Sequence, residues 1–381
     1  MKIGISTSVI QRGTSGIAQW VFHVTKALKP YAKEHDFTLF VLEEDLPLFE
    51  SQSEYMHLHK VAERWRHPVK DILWHQCQLP KLSQQLGLNL IHIPSYRRMV
   101  WSNACKKLTT IHDLAPYHVP GKYDMLRMFY ARRVIPYLAR RSHGMSAVSH
   151  FTANDIETFL HIPKTKTTVI HNGIDHGRFH PENQDASRIR IAGKLKLEHP
   201  FLLYVARLEH PAKNHVRLIH AFEKIKQETS NPLELVFAGK DWHGAEIIHK
   251  SIAQSEVKAS IRSLGFVADE DLAHLYRAAA VFVYPSLFEG FGLPPVEAMA
   301  CGTPVVCSAE GALKEVVADA AEIIDPHDDQ SLYEGLAKVI QSDERRKQCV
   351  ERGLRQAARF DWNRAAERWI TTYEATLGIE K

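Results

Sequence analysis

The chain has 381 residues, of which 45% are hydrophobic and 24% are charged. This composition is typical of folded proteins and excludes disordered, collagen-like and coiled-coil chains, and the length predicts two domains. No run of 18 uncharged apolar residues is present, so the sequence predicts no membrane-spanning helix. The five cysteines are scattered without metal-ligand spacing, at positions 77, 105, 301, 307 and 349. We therefore expect a reduced, cytoplasmic protein without structural disulfides or zinc.

The formal net charge of +4 hides an asymmetry along the chain. Residues 1–185 contain 23 Lys and Arg against 16 Asp and Glu, a net charge of +7, and the remainder contains 25 against 28, a net charge of −3. The excess is greatest in residues 60–141, with 15 basic and 4 acidic residues. A basic half suggests nucleic acid, an anionic membrane or a phosphorylated substrate as partner, although charge runs are also typical of solvated faces.

In chain order, the first half alternates short β-branched strands with amphipathic helices. Apolar residues at positions 17, 20, 21, 24 and 28 have the spacing of one buried helix face. The predicted strands cover residues 3–6, 38–42, 90–93, 108–111, 145–148 and 168–170. A polar, irregular stretch at 181–200 then predicts a linker.

A second alternating series follows this stretch. Its predicted strands cover residues 201–206, 233–238, 260–264, 281–284, 304–307 and 321–324. Its predicted helices cover residues 214–228, 269–279 and 330–341, and a helical tail runs from 345 to 377 with a break near 360–362. Two such series indicate an α/β protein of two Rossmann-like domains, with parallel sheets and a binding site in the cleft between them.

Two common nucleotide-binding signatures are absent from the sequence. Gly13-x-x-Gly16 follows the first strand without completing G-x-G-x-x-G. The Walker A motif is also missing. The sequence therefore disfavours a dinucleotide-dependent oxidoreductase and a P-loop kinase.

The most informative segment is residues 284–304, with the sequence Y-P-S-L-F-E-G-F-G-L-P-P-V-E-A-M-A-C-G-T-P. It predicts a strand ending at Ser286, a glycine loop, and a helix that starts near Pro295 and stops at Gly302. The helix start offers free N–H groups to a diphosphate or to sugar hydroxyls. The residues placed to contact such a ligand are Glu289, Gly290, Gly292 and Glu297. Read alone, the segment is equally compatible with a tight turn and two solvated glutamates.

This segment resembles the signature of retaining glycosyltransferase family 4, which has the GT-B fold: the E-x7-E spacing is met by Glu289 and Glu297, around an intact E-G-F-G-L-P core. The resemblance extends along almost the whole chain. Further motifs in the family's order are His112-Asp113, Ser149-x-Phe151-Thr152, Asn172-Gly173-Ile174-Asp175, Ala206-Arg207 with Lys213-Asn214, and Phe360-Asp361-Trp362. One departure is Ala206, where the family usually has Gly.

The resemblance implies a role for each matching residue. Arg207 and Lys213 would neutralise the donor diphosphate, whose charge grows as the nucleoside diphosphate leaves. Glu289 would hold sugar hydroxyls near C3, and Glu297 would accept hydrogen bonds from the ribose. His112 would be a catalytic-site residue of the N-terminal domain. The other implied donor-site residues are Gly13, Gly16, Val267, Gly290, Phe291, Gly292 and Leu293. For Gly13 and Gly16 a plain β–α turn, and for His112 a structural role, are the alternatives.

The family resemblance also implies the course of the reaction. We expect a front-face reaction through an oxocarbenium-like state, in which the departing phosphate helps to deprotonate the acceptor hydroxyl. The resemblance also implies that the cationic pair takes the place of a metal ion, so we expect no metal and no cofactor. The co-substrate would be a GDP- or UDP-hexose, with mannose favoured by resemblance to mannosyltransferases of polysaccharide assembly, and the acceptor a glycan or polyprenyl-linked glycan.

A basic amphipathic helix with interleaved aromatic residues is predicted for residues 123–141, with a kink at Pro136. Together with the other cations of residues 60–141, it suggests peripheral contact with an anionic membrane, on the inner face of the cell membrane. The alternative is a helix packed on its own domain with its arginines in water. No RNA- or DNA-binding motif is present, so we expect no nucleic-acid partner.

The predicted domains are an acceptor-binding domain at residues 1–185, a nucleotide-sugar donor domain at 186–362, and a helix at 363–381 that crosses back to the first domain. Two other functions remain open at this point. One is a GT-B synthase with a small soluble acceptor. The other is a nucleotide-sugar-binding or nucleic-acid-binding protein without turnover, against which the intact Arg207, Lys213 and Glu289 argue.

Overall fold

The computed structural model describes residues 1–10, 12–13, 15–119, 124–228 and 232–379, and the chain separates into two units. The first unit is Met1–Gly173 together with Trp362–Lys381, and the second is Ile174–Asp361. The first junction therefore lies twelve residues before the boundary expected at residue 185. The reason is local pairing, because the backbone N–H of Ile174 donates to the carbonyl of Phe360 at 3.2 Å and so starts the second unit.

The first unit contains a seven-stranded sheet in the order β3-β2-β1-β4-β5-β6-β7. Its strands are β1 (Lys2–Ser6), β2 (Asp36–Leu42), β3 (His57–Val61), β4 (Leu90–Ile93), β5 (Lys106–Ile111), β6 (Gly144–Ala147) and β7 (Thr167–Val169). Every pairing is parallel. Each predicted strand of this half is present within two residues of its expected bounds. The exception to the prediction is β3, which was not expected because its sequence, H-L-H-K-V, is largely polar, as suits the edge of a sheet.

Helices connect these strands. They are α1 (Gly16–Ala27), α2 (Pro68–Gln85), α3 (Ala115–His118), α4 (Met125–Phe129), α5 (Ile135–Ala139) and α6 (His150–Leu160). Short 3-10 helices lie at Ser8–Ile10, Lys29–Lys33, Glu43–Gln52, Glu63–Trp65, Tyr96–Arg98 and Lys164–Lys166. The apolar face predicted for the first helix is the face of α1 that packs into the core, with Trp20, Val21 and Val24 buried.

The second unit contains a six-stranded parallel sheet in the order β10-β9-β8-β11-β12-β13. Its strands are β8 (Phe201–Val205), β9 (Glu234–Ala238), β10 (Ile261–Ser263), β11 (Val281–Tyr284), β12 (Val305–Ser308) and β13 (Glu322–Ile324). Its helices are α7 (Gln184–Leu195), α8 (His215–Glu228), α9 (Ala245–Gln254), α10 (Asp269–Ala278), α11 (Leu293–Ala300), α12 (Leu313–Val317), α13 (Asp329–Gln341) and α14 (Asp343–Ala357), with a 3-10 turn at Lys258–Ser260. All six predicted strands and the three predicted helices are present, so the prediction of two parallel α/β units is confirmed.

The expected linker at residues 181–200 is wrong for most of its length, because α7 occupies it. Two of its basic side chains reach α10: Arg190 lies 2.8 Å from Asp271, and Lys194 lies 2.8 Å from Glu270. The helix is polar overall, so its sequence alone gives a weak periodic signal. Ion pairs to a segment some 80 residues away hold it in place.

The final helix, α15 (Trp362–Leu377), returns to the first unit as predicted. It buries Trp369 and Tyr373 in that unit's core. The Tyr373 hydroxyl lies 2.9 Å from Nδ1 of His92 in β4, and the Trp369 ring lies 5.6 Å from that of Trp20 in α1. The helix is therefore part of the first unit's core.

The predicted basic helix starts at Tyr123, which lies outside the described residues. From Met125 it is continuous through α4, a π-helical turn at Tyr130–Val134, and α5. The π turn precedes Pro136, whose missing N–H removes one hydrogen bond from the regular pattern. Within the part of the chain that the structure describes, no helix has the length and apolar character that crossing a membrane requires.

Candidate active site

The strand order places the predicted donor residues at one point of the second sheet. Strand numbering reverses direction between the neighbours β8 and β11, and such a reversal opens a crevice at the carboxyl ends of the two strands. Arg207 follows β8, and Glu289 follows β11. The two segments singled out in the sequence, about 80 residues apart, thus leave the sheet side by side.

Lys213 and Glu289 form an ion pair at this point, between Nζ and Oε1. Their side chains are only 14% and 16% exposed. The Tyr284 hydroxyl donates to the same Glu289 oxygen at 2.9 Å. The Tyr204 hydroxyl donates to the backbone carbonyl of Lys213 at 2.6 Å and so fixes the lysine backbone. Strand residues thus fix both members of the pair.

The Glu289 carboxyl is ionised despite its enclosure. Burial alone would raise its pKa, but the charge of Lys213 and the hydrogen bonds from Lys213, Ser286 and Tyr284 outweigh burial and hold the pKa below its usual value. The site therefore presents a fixed, paired charge of each sign.

Arg207 is more open, with 51% of its side chain exposed. Its guanidinium lies 4.6 Å from the centroid of the Trp242 ring and 3.5 Å from Oε2 of Glu209. Trp242 is itself anchored, because its backbone N–H donates to the Leu208 carbonyl at 3.0 Å. The guanidinium is therefore oriented by a ring and a carboxylate while its outer face stays open.

The glycine loop packs closely against the next connection of the sheet. A Cβ on Gly311 would lie 2.3 Å from the Glu289 carbonyl, which accepts a hydrogen bond from the Ala312 N–H at 2.9 Å. Gly292 has φ +96° and precedes the first turn of α11, so it needs the left-handed freedom of glycine. Leu293 begins α11, and Phe291 packs its ring edge-on to Phe360 at 5.5 Å. Gly290, which precedes Phe291, is buried.

Glu297 lies one turn into α11 and does not share the hydrogen bonds of Glu289. Its Oε2 accepts from the Tyr276 hydroxyl at 2.8 Å. Burial raises its pKa, and the nearby charge of Arg178 and the Tyr276 hydrogen bond offset only part of that effect. The two carboxylates thus have opposite pKa shifts, which is consistent with contacts to different parts of a ligand.

Val267 lies half-buried in the loop after β10. Its neighbour Phe266 is 66% exposed, with the Lys240 ammonium 4.7 Å from its ring centroid. The Gly265 carbonyl accepts from the Gly239 N–H at 2.7 Å, which ties this loop to the end of β9. A flat aromatic face and free backbone therefore lie beyond the carboxyl ends of β9 and β10.

His112 follows β5 in the first unit. Its Nε2 lies 3.1 Å from the Pro94 carbonyl, which can only accept, so Nε2 carries the proton. The Trp20 ring packs edge-on to the imidazole at 4.9 Å. Burial lowers the pKa of His112 to about 4, against the opposing effects of Asp113 and the Pro94 hydrogen bond. The ring is therefore neutral at pH 7, and its Nδ1 is a hydrogen-bond acceptor.

Gly13 and Gly16 lie in the loop between β1 and α1. Gly13 has φ +79°, and Gly16 begins α1 behind the N-cap Ser15, whose Oγ accepts from the Ala18 N–H at 3.1 Å. Thr14 between them lies outside the described residues. Among the described residues, no atom beyond the chain neighbours and the backbone of α1 lies within 4 Å of a Cβ built on Gly16, so packing against these residues does not require glycine at that position.

The sequence motifs did not identify the aromatic residues that hold the charged side chains in place, which are Tyr204, Tyr276, Tyr284 and Trp242. Tyr204, Tyr276 and Tyr284 all lie in or beside buried strands, where their sequence context reads as core. Their pKa values are raised by burial and by the neighbouring glutamates, so all three stay protonated and donate hydrogen bonds. A buried tyrosine needs a hydrogen-bond partner for its hydroxyl. Tyrosine in an otherwise apolar core segment was therefore the available sequence signal for these contacts.

A cavity of about 1150 Å³ opens at the opposite edge of the second sheet. Its walls include Phe201, Leu233, Val281 and Pro304, at the amino ends of four strands. The predicted site residues do not line it. We locate the candidate site at the carboxyl edge, where the ionised and hydrogen-bonding groups converge.

Comparison with known proteins gives two family matches. The model for Glycosyltransferase Family 4 matches residues 14–178, and the model for Glycosyl transferases group 1 matches residues 185–356. Together the two models span most of the chain, and their junction, between residues 178 and 185, lies a few residues after the start of the second unit at Ile174.

Individual relatives agree with the family matches. O-antigen chain mannosyltransferase B of Escherichia coli is 32% identical over 272 residues, 71% of this chain and 70% of that protein. Serotype-specific mannosyltransferase WbdA of Escherichia coli is 28% identical over 283 residues, 73% of this chain but 34% of that protein, so the chain spans about a third of that relative. The crystal structure of Anabaena HepE in complex with UDP and glucose has a TM-score of 0.77 at 20% identity, over 98% of this chain and 100% of that chain, and shows the shared GT-B fold.

Proposed function

Since the chain belongs to glycosyltransferase family 4, we propose that it is a retaining enzyme that transfers a hexose from a nucleotide diphosphate sugar to a hydroxyl of a glycan or lipid-linked glycan. Mannose is favoured because the O-antigen chain relative from Escherichia coli is named a mannosyltransferase. The observation that supports the proposal most directly is the buried Lys213–Glu289 pair, held by two tyrosines at the reversal of the second sheet.

In this proposal the donor diphosphate binds between Arg207 and Lys213. Two cations at the β-phosphate stabilise the charge that grows there as the sugar–phosphate bond breaks. Lys213 is already positioned by Glu289 and Tyr204, so little reorganisation accompanies the reaction. The cations supply this charge stabilisation without a metal ion.

The two glutamates bind different parts of the donor, the sugar and the ribose. Glu289 is ionised and accepts from sugar hydroxyls through the oxygen that Tyr284 leaves open. Glu297 accepts from the ribose. The backbone N–H groups of Gly290, Phe291, Gly292 and Leu293 lie along the glycine loop, at the start of α11, where they favour an anion or a hydroxyl oxygen. The loop containing Val267 borders the base.

The chemical step needs no enzyme nucleophile. The bond from the anomeric carbon to the β-phosphate oxygen breaks, the acceptor oxygen bonds to the same face of that carbon, and the acceptor proton passes to the departing phosphate. His112, neutral with its Nδ1 able to accept a hydrogen bond, orients a substrate hydroxyl. Gly13 and Gly16 line the adjoining loop.

Cysteine chemistry is consistent with a cytoplasmic enzyme. Among the described residues all five cysteines are free thiols, and Cys301, Cys307 and Cys349 are buried. We place the enzyme in the cytoplasm, where the proposed donor would be available to it.

The first experiment is calorimetric titration of UDP, GDP, ADP and CMP with EDTA present. We expect GDP or UDP to bind selectively, and the matching hexose donor to be consumed with the α configuration kept in the product, as read from the anomeric proton by NMR. Binding that requires a divalent cation would overturn metal independence. Selective binding without consumption of GDP-mannose or UDP-hexoses, with lipid-linked and soluble acceptors supplied, would make the protein a nucleotide-sugar binder.

A further inference from the structure

The helix that runs from Met125 to Ala139 presents bare apolar side chains to solvent. Met125 is 89% exposed, Leu126 77% and Phe129 60%. Met125 and Leu126 are the two most exposed large hydrophobic side chains among the described residues. Solvated apolar side chains of this size are ordinary when single, but three within one and a half helical turns form a patch that calls for a partner.

Helical spacing puts these three side chains on the same face as a set of arginines. At about 100° per residue, the outward face carries Met125, Leu126, Phe129, Arg132, Arg133 and Arg140, which we call the docking face. The opposite face, with Ala131, Ile135 and Leu138, is buried in the first unit's core. The docking face is thus apolar along its first turn and basic along the rest.

Four other cations of the basic segment make contacts within the first unit. Lys60 lies 3.1 Å from Glu43, Arg66 pairs with Asp45 at 3.0 Å, and Arg98 pairs with Asp71. Lys107 is buried, and its Nζ donates to the Val100 carbonyl at 2.8 Å. These four cations are therefore less available to a partner than the arginines of the docking face.

The neighbourhood of the helix keeps a strong positive charge. Residues 94–142 contain ten Lys and Arg and two Asp and Glu, and eight of the ten cations remain when Arg98 and Lys107 are set aside. One of the acids, Asp124, caps the helix start, since its Oδ1 accepts from the Arg127 N–H at 2.8 Å. The cap fixes the first turn, so the apolar side chains are held on a formed helix rather than on a loose segment.

We propose that the docking face binds an anionic membrane surface, with Met125, Leu126 and Phe129 entering the acyl boundary and the arginines contacting lipid phosphates. Both parts of the face match the two terms of interfacial binding, apolar burial and attraction to anionic lipid. A nucleic acid would use the arginines and leave the apolar turn in water. The inference does not depend on the proposed enzyme activity, because binding to lipid is measured without donor or acceptor.

The test is co-sedimentation of the full chain with vesicles of phosphatidylcholine alone and with vesicles of phosphatidylcholine and phosphatidylglycerol in equal parts. We expect binding to the mixed vesicles only. Replacing the arginines (R132Q, R133Q and R140Q together) weakens binding at least tenfold, since each arginine near an anionic surface is worth about a fivefold change. Replacing the apolar turn (M125S, L126S and F129S together) also abolishes stable binding.

The second unit provides matched controls. Ile189 is 75% exposed and Arg188 is 61% exposed, both in α7, so the I189S and R188Q variants leave vesicle binding unchanged. Nucleotide titration and circular dichroism of every variant show that it is folded. Equal binding to neutral and mixed vesicles, or unchanged binding of both triple variants, overturns the proposal. Light scattering that shows a dimer lost only in the M125S/L126S/F129S variant, without vesicle binding, assigns the face to a second copy of the chain instead.

Discussion

The two sheets share the same order over six strands, but the side chains at their carboxyl edges differ in charge. At the second sheet, the enclosed side chains of Lys213 and Glu289 form an ion pair, and this pair outweighs burial and holds the pKa of Glu289 below its usual value. At the first, burial lowers the pKa of His112 beyond β5 to about 4 and that of His92 within β4 to about 3, although the nearby Asp113 opposes the shift at His112. A charged partner at ion-pair distance thus outweighs burial at Glu289, whereas burial outweighs the effect of Asp113 at His112.

This contrast fits a division of chemistry between the units. An ionised pair beside an exposed Arg207 suits a diphosphate. Neutral imidazoles that accept and donate hydrogen bonds suit hydroxyl groups. The same parallel scaffold thus carries groups suited to two kinds of ligand, on a few side chains in or after its strands.

The largest expected effect comes from removing the cation of the ionised pair. Lys213→Ala leaves Glu289 buried and unpaired, so we expect sugar transfer to fall at least about tenfold, or over 1.4 kcal/mol of transition-state stabilisation. Lys224→Ala is the matched control, since Lys224 lies in the following helix and contacts only the Tyr333 ring and Gln330 in the contacts described. The assay is initial rate under saturating donor.

A second variant separates stability from catalysis at the same pair. Lys213→Met with Glu289→Gln removes both charges, so no unpaired charge remains buried and thermal stability recovers relative to Lys213→Ala. Activity stays low because the cation is still missing. Full activity in either variant would show that the pair is structural.

The next effect is the dependence of the free energy of unfolding on pH, which differs between the buried histidines and Glu289. The folded pKa values of His92 and His112 lie below the ordinary value of 6.5, so the unfolded state binds more protons and the free energy of unfolding falls as pH drops below 6.5. The pKa of Glu289 is also lowered, so its contribution has the same sign but a lower pH range: it stabilises the fold above about 4.5 and is lost only below this pH.

Hydrogen exchange read by mass spectrometry, corrected for intrinsic rates, reports each unit separately. Between pH 7 and about pH 5, we expect protection to decrease around His92 and His112 in the first unit and around His215 at the start of α8, whose pKa burial also lowers to about 3. In the same range we expect protection to hold in β11, beside Glu289, and loss in β11 would contradict the contrast between the histidines and Glu289. A His112 imidazole whose NMR signal titrates near pH 6.5 would show that its burial is wrong.

The smallest expected effect concerns the residue that orients Arg207. Trp242→Ala removes the ring beneath the guanidinium, and we expect nucleoside diphosphate affinity to fall about two- to fivefold, as for an exposed cation–π contact. Trp242→Phe keeps an aromatic face and retains most of the affinity. Identical dissociation constants for wild type and Trp242→Ala in calorimetry would leave Glu209 as the group that orients the arginine.

Sequence periodicity was sufficient for most of the architecture. Twelve strands were predicted within two residues, because buried parallel strands are short, β-branched and bounded by turn residues. Strand β3 and helix α7 were missed for one reason: their sequences are polar, and their stability comes from neighbours. β3 completes the edge beside β2, and α7 is held by Arg190 and Lys194 to α10.

The sequence by itself determined the family and the segments that carry the candidate site, because the motifs are local and keep their order along the chain. Only the tertiary structure decided that Lys213, rather than Arg207, pairs with Glu289, 76 residues away. It also decided which arginines of the basic segment face solvent. Such partnerships depend on strand order and helix rotation, which bring distant residues together, and no local pattern encodes them.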